Sequence, residues 1–221
     1  MAEGLINING DSVQTLEIIY LTTLISLFPT LVVMMTSFTR YVIACSFIRS
    51  AMGTQQVPPN IVLIGISLIL TLFTMTPTLD DIKTYAYDPY VAESITQEEF
   101  FDRAQVPIKD FMLRQTPAET MQMYCELSGT EYPKNDEEAL ELPMHVVIAA
   151  FVTNELKRAF EIGFYLYIPF MLIDIVVSST LMSMGMIMLP PSMISMPFKL
   201  LLFVALDGWQ LLFSSLVQGF R

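Results

Sequence analysis

Charged residues, cysteine and histidine are all scarce in this sequence, and their scarcity argues against several classes of protein. Of its 221 residues 15% are charged, two are cysteines and one, His145, is a histidine. Cys45 lies in an apolar segment and Cys125 in an acidic one, so we expect neither to form a disulfide bond. The sequence also has no CxxC or HExxH spacing, no glycine-rich phosphate loop and no GxSxG elbow. We therefore predict no metal site, no cofactor and no enzymatic activity.

The uncharged parts of the sequence are long hydrophobic runs. Hydrophobic residues make up 53% of the chain. Uncharged runs cover residues 18–39, 50–79 and 175–198, and the run 200–220 is interrupted only by Asp207. Each is at least as long as the roughly 20 apolar residues that a helix needs to span a bilayer. The composition therefore predicts a membrane protein.

The net charge of −11 is concentrated in one hydrophilic segment, residues 80–142, which we call the acidic module. It contains 15 acidic and 5 basic residues, so its own net charge is −10. Carboxylates repel phosphates, so this excess of acid argues against nucleic acid and anionic lipid as ligands. We divide the chain into a polar N-terminal segment (1–15), a first apolar hairpin (16–79), the acidic module and a second apolar hairpin (143–221).

Two arginines indicate how the first hairpin is oriented. We expect helices over residues 16–38 and 61–79, joined by a loop that contains Arg40 and Arg49. The positive-inside rule puts this loop in the cytoplasm, so the acidic module faces the periplasm or the cell exterior. Residues 1–11 lack the pattern of a secretory signal, and the sequence does not tell whether a leader was removed.

The acidic module contains two helix-start signals. Thr96 followed by Glu99 has the pattern of a capping box, and the TPAE sequence at 116–119 puts proline and glutamate into a first helical turn. We expect Pro107 to break or kink the first of these helices. The polar stretch 129–141 is typical of a mobile loop.

The second hairpin carries charges inside apolar sequence. Four of them follow each other on one amphipathic stretch: Glu155, Lys157, Arg158 and Glu161. They favour a helix packed against partner subunits over one surrounded by lipid. Residues 162–189 would form a helix of roughly 42 Å, too long for the hydrocarbon core unless it tilts or breaks at Pro169 or Gly185.

Three further charges, Asp174, Lys199 and Asp207, lie in or between the last apolar segments. A charge in such a place is costly unless it is paired or faces a wet interior. They can serve function directly or form an ion pair that fixes helix register, and the sequence leaves both interpretations open.

Methionines cluster before a Pro-Pro step near the end of the chain. Four of the sixteen, Met182, Met184, Met186 and Met188, fall within seven positions. Methionine is unbranched and polarizable, which suits a surface that closes tightly and then deforms around what passes. A soft seal is the functional interpretation, and ordinary apolar filler at a helix end is the alternative.

The pattern M-G-x4-P-P occurs twice, at 52–59 and at 184–191, each time before an apolar helix. We interpret both copies as hairpin corners on the cytoplasmic side. In the second copy, methionines and an isoleucine replace Thr54, Gln55 and Gln56, which is where a seal would have been added.

Five stretches in this order resemble one family. They are MMTSFTR (34–40), GTQ with PPN (53–60), FMLRQT (111–116), FVTNELK (151–157) and PFKLLLF (197–203). Together they resemble the FliP family, flagellar biosynthetic proteins that form a core subunit of the type III export gate. Injectisome proteins of the SctR type share most of these motifs and are the alternative.

The resemblance implies an all-α fold of long hydrophobic helical hairpins with a mostly helical acidic insert, assembled as a helical oligomeric channel. It implies about five copies of the chain with FliQ-like and FliR-like subunits in the bacterial inner membrane, at the flagellar basal body. Other partners would be FlhA- and FlhB-like proteins and the unfolded protein substrates, with no nucleic acid.

The resemblance also implies a pore gasket at Met186, Ile187 and Met188, beside Met184. Ile187 stands where methionine is usual, and a β-branched side chain is stiffer at χ1. This position would therefore seal by bulk without adapting.

Two further groups of residues follow from the resemblance. Glu155 and Lys199 match a helix-to-helix ion pair, with Asp174 as a further matching charge. Phe100, Phe101 and Phe111 are candidate contacts between copies, or else the small core of the acidic module itself.

The rival hypothesis from another class is a small-solute transporter, with Asp174, Lys199 and Asp207 lining a coupling-ion path. An intramembrane enzyme is a more distant alternative.

Overall fold

The computed structural model describes residues 6–8, 11–13, 15–186 and 188–220. The described residues form ten α-helices, and the all-α class is confirmed. Their bounds are α1 Thr15–Met34, α2 Phe38–Met52, α3 Asn60–Ile82, α4 Asp88–Val91, α5 Gln97–Gln115, α6 Ala118–Ser128, α7 Asp136–Glu141, α8 Met144–Ser183, α9 Pro191–Ala205 and α10 Gly208–Gln218. A π-helical turn, Lys83–Tyr87, joins α3 to α4, and a small antiparallel ribbon of β1 (Ile6–Ile8) and β2 (Asp11–Val13) precedes α1.

The first apolar segment is two helices rather than one helix and a loop. α1 and α2 meet at residues 35–37 with a bend of 70°. Arg40 and Arg49 lie within α2, so the expectation that they occupy a loop is wrong. The reason is packing: α2 has neither proline nor glycine, and it buries a stripe at helical spacing that includes Tyr41, Ala44 and Ile48.

Two helices are long and apolar enough to cross a membrane by themselves. They are the continuous helical stretch Asn60–Val91 and α8, and each of the bent pairs α1–α2 and α9–α10 would add one more span if it crosses as a unit. Only 11% of the most apolar window of α8 is buried within the chain. An apolar helix this exposed needs lipid or other subunits to cover it.

The core lies where α2 packs along the first half of α8. Tyr41, Ala44 and Ile48 from α2 meet Val147 and Phe151 from α8, and all five are essentially inaccessible. α3, α5, α6 and α9 pack around this pair. The acidic module is thus attached to the beginning of α8, and the other half of that helix extends away from it.

Within the acidic module the capping box is confirmed. Thr96 Oγ1 accepts from the Glu99 N–H (3.3 Å), and a Glu99 carboxylate oxygen accepts from the Thr96 N–H (2.9 Å). Pro107 does not break α5, which continues to Gln115, because Phe111 and Met112 beyond it are buried in the core.

The second signal of the module also marks a helix start, but the helix begins one residue later than the expected first position at Pro117. α6 begins at Ala118 with Pro117 as its N-cap and Glu119 in its first turn.

The stretch expected to be a loop, 129–141, contains a helix. Asn135 caps α7 by accepting from the Glu138 N–H at 2.8 Å. At the other end, Lys109 Nζ donates to the carbonyl oxygens of Leu140 (2.7 Å) and Leu142 (2.8 Å). Burial lowers the pKa of the Lys109 amine, and these carbonyls replace the water that its charge has lost. The loop expectation failed because the partner for the helix end lies about 30 residues earlier in sequence.

α8 is longer than expected and unbroken at Pro169. Its 40 residues span roughly 60 Å at 1.5 Å per residue. It ends at Ser183, immediately before the turn that contains Gly185.

Candidate functional site

The second M-G-x4-P-P copy lies between α8 and α9, and its first half closes the end of α8. Gly185 has a φ of +75°, a conformation that glycine adopts at little cost. The N–H of Met186 donates to the Leu181 carbonyl (2.9 Å) and that of Gly185 to the Met182 carbonyl (3.0 Å). This pair of hydrogen bonds is the Schellman motif, and it fixes the direction in which the chain leaves the helix.

Two prolines begin the next helix. Pro190 is the N-cap of α9 and Pro191 its first residue, where a fixed φ near −65° and a missing N–H are both tolerated. Residues 184–189, which we call the methionine loop, are therefore held between a closed helix end and a rigid helix start.

The methionines of this loop do not pack into the chain's own core. The exposed fraction is 63% for Met184, 42% for Met186 and 98% for Met188. Ile187, the remaining gasket residue expected from sequence, lies outside the described residues. The loop thus offers flexible apolar side chains, of which Met188 is almost wholly and Met184 mostly uncovered by the described part of the chain.

A polar cluster ties α8 and α9 together behind this loop. Lys199 Nζ donates to Asp174 (2.6 Å) and to the carbonyl oxygen of Ala51 at the end of α2 (3.1 Å). Ser195 Oγ donates to the other oxygen of Asp174 (2.6 Å). The lysine is almost fully buried, so the ion pair and the carbonyl together compensate its lost hydration. Both helices next to the methionine loop are thereby fixed to the end of α2.

The ion pair expected between Glu155 and Lys199 is not formed. Glu155 pairs with Arg40 instead, where Arg40 Nε donates to one carboxylate oxygen at 2.8 Å and Nη2 to the other. On α8, Glu155 and Asp174 are 19 residues apart, which corresponds to roughly 28 Å. One lysine cannot reach both, and Asp174 is the nearer partner of Lys199.

Arg40 is a structural residue that the sequence analysis missed. Its remaining nitrogen, Nη1, donates to the Gly219 carbonyl at 3.0 Å, and its guanidinium lies 3.6 Å from the centre of the Phe220 ring. It therefore binds α2 to both α8 and the end of the chain. The sequence did contain a signal for this pair. Glu155 and Arg40 both lie among apolar residues, and a charge in such a place requires a partner.

The three phenylalanines proposed as contacts between copies have different environments. Phe111 is 5% exposed and packs against Phe151 and Phe220, so in this chain it is a core residue. Phe101 is 59% exposed and contacts Phe100 edge-on. Phe101 alone keeps most of its ring available to another chain.

Asp207 does not join the polar cluster. It lies between α9 and α10, in a left-handed conformation and exposed. Asp174 is paired with Lys199, and Asp207 takes no part in that pair. Among the described residues, no group of three or more histidine, cysteine or acidic side chains could hold a metal ion.

Comparison with known proteins identifies the family. The FliP family profile matches residues 21–216. The flagellar biosynthetic protein FliP of Aquifex aeolicus is 48% identical over 213 residues, covering 96% of this chain and 88% of its own length. That of Bacillus subtilis is 45% identical over 207 residues, covering 94% and 92%. The protein of the same name from Caulobacter vibrioides is 44% identical and covers this whole chain.

A protein of this kind takes part in flagellar protein export and is not an enzyme. With a match over most of its length to the family profile and to relatives from three bacteria, the chain belongs to the FliP family.

Proposed function

We propose that several copies of this chain, with FliQ-like and FliR-like subunits, form the export-gate channel for unfolded flagellar proteins, and that the methionine loop closes it. The observation that carries this proposal is the exposure of Met184, Met186 and Met188 on a turn whose backbone is fixed at both ends. Flexible side chains on a fixed support suit a seal, since only the side chains need to move when a substrate passes.

The exposed apolar surface of the helices supports an assembled channel. α8 carries large apolar side chains along the half that extends away from the core, and α3 has a comparable exposed face. Monomeric soluble proteins rarely expose patches of this size. Neighbouring subunits and lipid together would cover them.

The polar cluster around Lys199 gives the proposal a mechanical basis. A seal fails if its support bends, and the Asp174–Lys199 pair holds α8 and α9 together about two to three turns from the loop. The chain would provide the passage and its closure, while the energy for export would come from other components.

The same proposal includes the location of the chain. The apolar helices would lie in or against the bacterial inner membrane at the flagellar basal body, and the acidic module would face the periplasm and contact adjacent copies through Phe101. FlhA- and FlhB-like proteins would be further partners. The flagellar interpretation is favoured over an injectisome because the relatives reported above are flagellar.

The decisive experiment removes the flexible side chains and leaves the turn intact. The double variant Met186→Ala/Met188→Ala, in the complex co-expressed with its partner subunits, should raise ion conductance across a planar bilayer. The matched control is Met193→Ala, an exposed methionine on α9 outside the loop, which should leave conductance unchanged. Native mass spectrometry would verify that both variants assemble, and unchanged conductance of an assembled double variant would refute the seal.

A further inference from the structure

An open cavity of about 500 Å³ lies between α2, the end of α5 and the middle of α8. Three arginines line it, Arg40, Arg114 and Arg158, together with one acid, Glu161. The lining has three cations to one acid in a chain whose net charge is −11, although each arginine also has an acidic partner. What a ligand can use at this cavity is the set of guanidinium donors that those partners leave free.

The three arginines differ in how many of their donors are used. Arg40 is buried, and its contacts to Glu155 and to the Gly219 carbonyl occupy Nε, Nη1 and Nη2. Arg114 has one ion pair, to Asp110 at 2.9 Å, and Arg158 has a long one, to Glu161 at 3.4 Å. Both side chains are more than half exposed. Since a guanidinium has five N–H donors, each retains several for a ligand.

The cavity continues into an apolar stripe on the same face of α8. Arg158, Glu161 and Tyr165 line the cavity, and Ile168 and Leu172 follow at helical spacing with exposed side chains. Ile175 extends the stripe, so that it covers roughly 15 Å from Tyr165 onward. That length is about half of the roughly 30 Å thickness of the bilayer hydrocarbon, the depth of one leaflet.

A site that joins arginines to a leaflet-deep apolar stripe matches one ligand chemistry. Arginine binds phosphate oxygens bidentately, and tyrosine is enriched at the boundary between headgroups and hydrocarbon. We propose that this cavity binds the phosphate of an anionic phospholipid between Arg114 and Arg158, with an acyl chain lying along α8. The proposal concerns a lipid site and does not depend on the export function or on the methionine loop.

Native mass spectrometry of the purified complex tests the proposal with defined lipids. Phosphatidylglycerol added to the detergent-solubilised complex should give retained adducts, and phosphatidylcholine, which has no net charge, should give few. The variants Arg114→Gln and Arg158→Gln should each weaken phosphatidylglycerol binding by about tenfold, because each removes a charged donor to the phosphate. Lys157→Gln is the matched control: it removes a cation from the neighbouring position of α8 that does not line the cavity.

Each alternative gives a different result. Equal binding of both lipids, or unchanged adducts in the arginine double variant, would overturn the proposal. Loss of phosphatidylglycerol adducts in millimolar inorganic phosphate, with Arg114 and Arg158 needed for phosphate alone, would mean a free-anion site and would also overturn it. Disassembly of the arginine double variant, with the Lys157→Gln complex intact, would mean that these arginines bind carboxylates of a neighbouring subunit instead.

Discussion

The two M-G-x4-P-P turns share a left-handed glycine and a pair of prolines at a helix start, but they differ in what their side chains contact. Gly53 and Gly185 have nearly the same φ, +76° and +75°. The first pair of prolines immediately precedes α3, and the second pair provides the N-cap and the first residue of α9. In the first turn Thr54 Oγ1 donates to the Val57 carbonyl (2.6 Å) and Arg49 to the Pro58 carbonyl (3.2 Å). The first turn is thus held by side-chain hydrogen bonds within the chain.

The second turn has no such side-chain hydrogen bonds in its described part. Met186 stands at the position of Thr54 and Met188 at that of Gln56, and both side chains are exposed. The difference teaches that one sequence pattern can give a turn held by its own side-chain hydrogen bonds or a turn that exposes apolar side chains to other subunits. Which it becomes depends on a few side chains at fixed positions.

The largest expected effect comes from breaking the scaffold that both turns share. α2 leads into the first turn and α8 into the second, and Arg40–Glu155 joins them. Arg40→Met leaves Glu155 buried and unpaired, so the complex should lose about 3–5 kcal/mol of stability, seen as a lower Tm in detergent. The double variant Arg40→Met/Glu155→Leu should recover most of the loss. A double variant as unstable as the single one would show that the pair is not the cause.

The next largest effect concerns the left-handed glycine that begins each turn, and it tests whether both turns depend on that conformation equally. Gly53→Ala and Gly185→Ala should each cost about 1–2 kcal/mol, because a Cβ at positive φ is strained even though open space surrounds both positions. The control is Gly65→Ala within α3, where the space is also open and alanine favours the helix. Thermal unfolding measures all three, and a neutral Gly185→Ala would contradict the equivalence of the turns.

A smaller effect distinguishes the role of the first turn in stability from the role of the methionine loop in closing the pore. Thr54→Val removes the hydrogen bond inside the first turn and should cost about 1 kcal/mol without raising ion conductance. The Met186→Ala/Met188→Ala variant should instead raise ion conductance and leave stability nearly unchanged, since substitutions of exposed side chains usually change stability by about 0.5 kcal/mol or less. A leak caused by Thr54→Val would mean that the first turn also lines the pore.

The smallest effect on stability is expected from two cysteine substitutions at matched positions of the two turns, which serve as probes of accessibility. Met188→Cys should react rapidly with a maleimide in the isolated chain and slowly in the assembled complex, whereas Gln56→Cys should react in both. The native thiols give little background, because Cys45 and Cys125 are buried and burial raises the pKa of the Cys125 thiol. Equal labelling of Met188→Cys in both states would contradict the proposed contact between loops.

Local sequence signals predicted the features that depend on neighbouring residues. The capping box at Thr96 and the helix start after Pro117 are both in the structure, because a cap or a fixed φ acts within a few residues. Residues 39–52 and 136–141 were expected to be loops and are helical. The first segment is helical because α2 buries an apolar stripe, and the second because the distant amine of Lys109 binds the carbonyl groups at the end of α7.

The polar sites were predicted less well than the helices. Sequence identified Glu155, Asp174 and Lys199 as charges that need partners, since a charge among apolar residues is costly without one. It could not assign those partners, because the choice between Asp174 and Glu155 depends on which turn of a 40-residue helix meets α9. The arginine cavity was equally hidden, since its lining comes from four separate segments.

The sequence by itself determined that the chain is helical and apolar, where its main turns fall, and to which family it belongs. The helical and apolar character and the turns follow from composition, spacing and short-range geometry, and the family follows from the resemblance of five motifs in order. Only the tertiary structure decided that Arg40 pairs with Glu155, that Phe111 is core and that three arginines share a cavity. Such contacts join residues far apart in the chain, and their geometry is set by how whole helices pack.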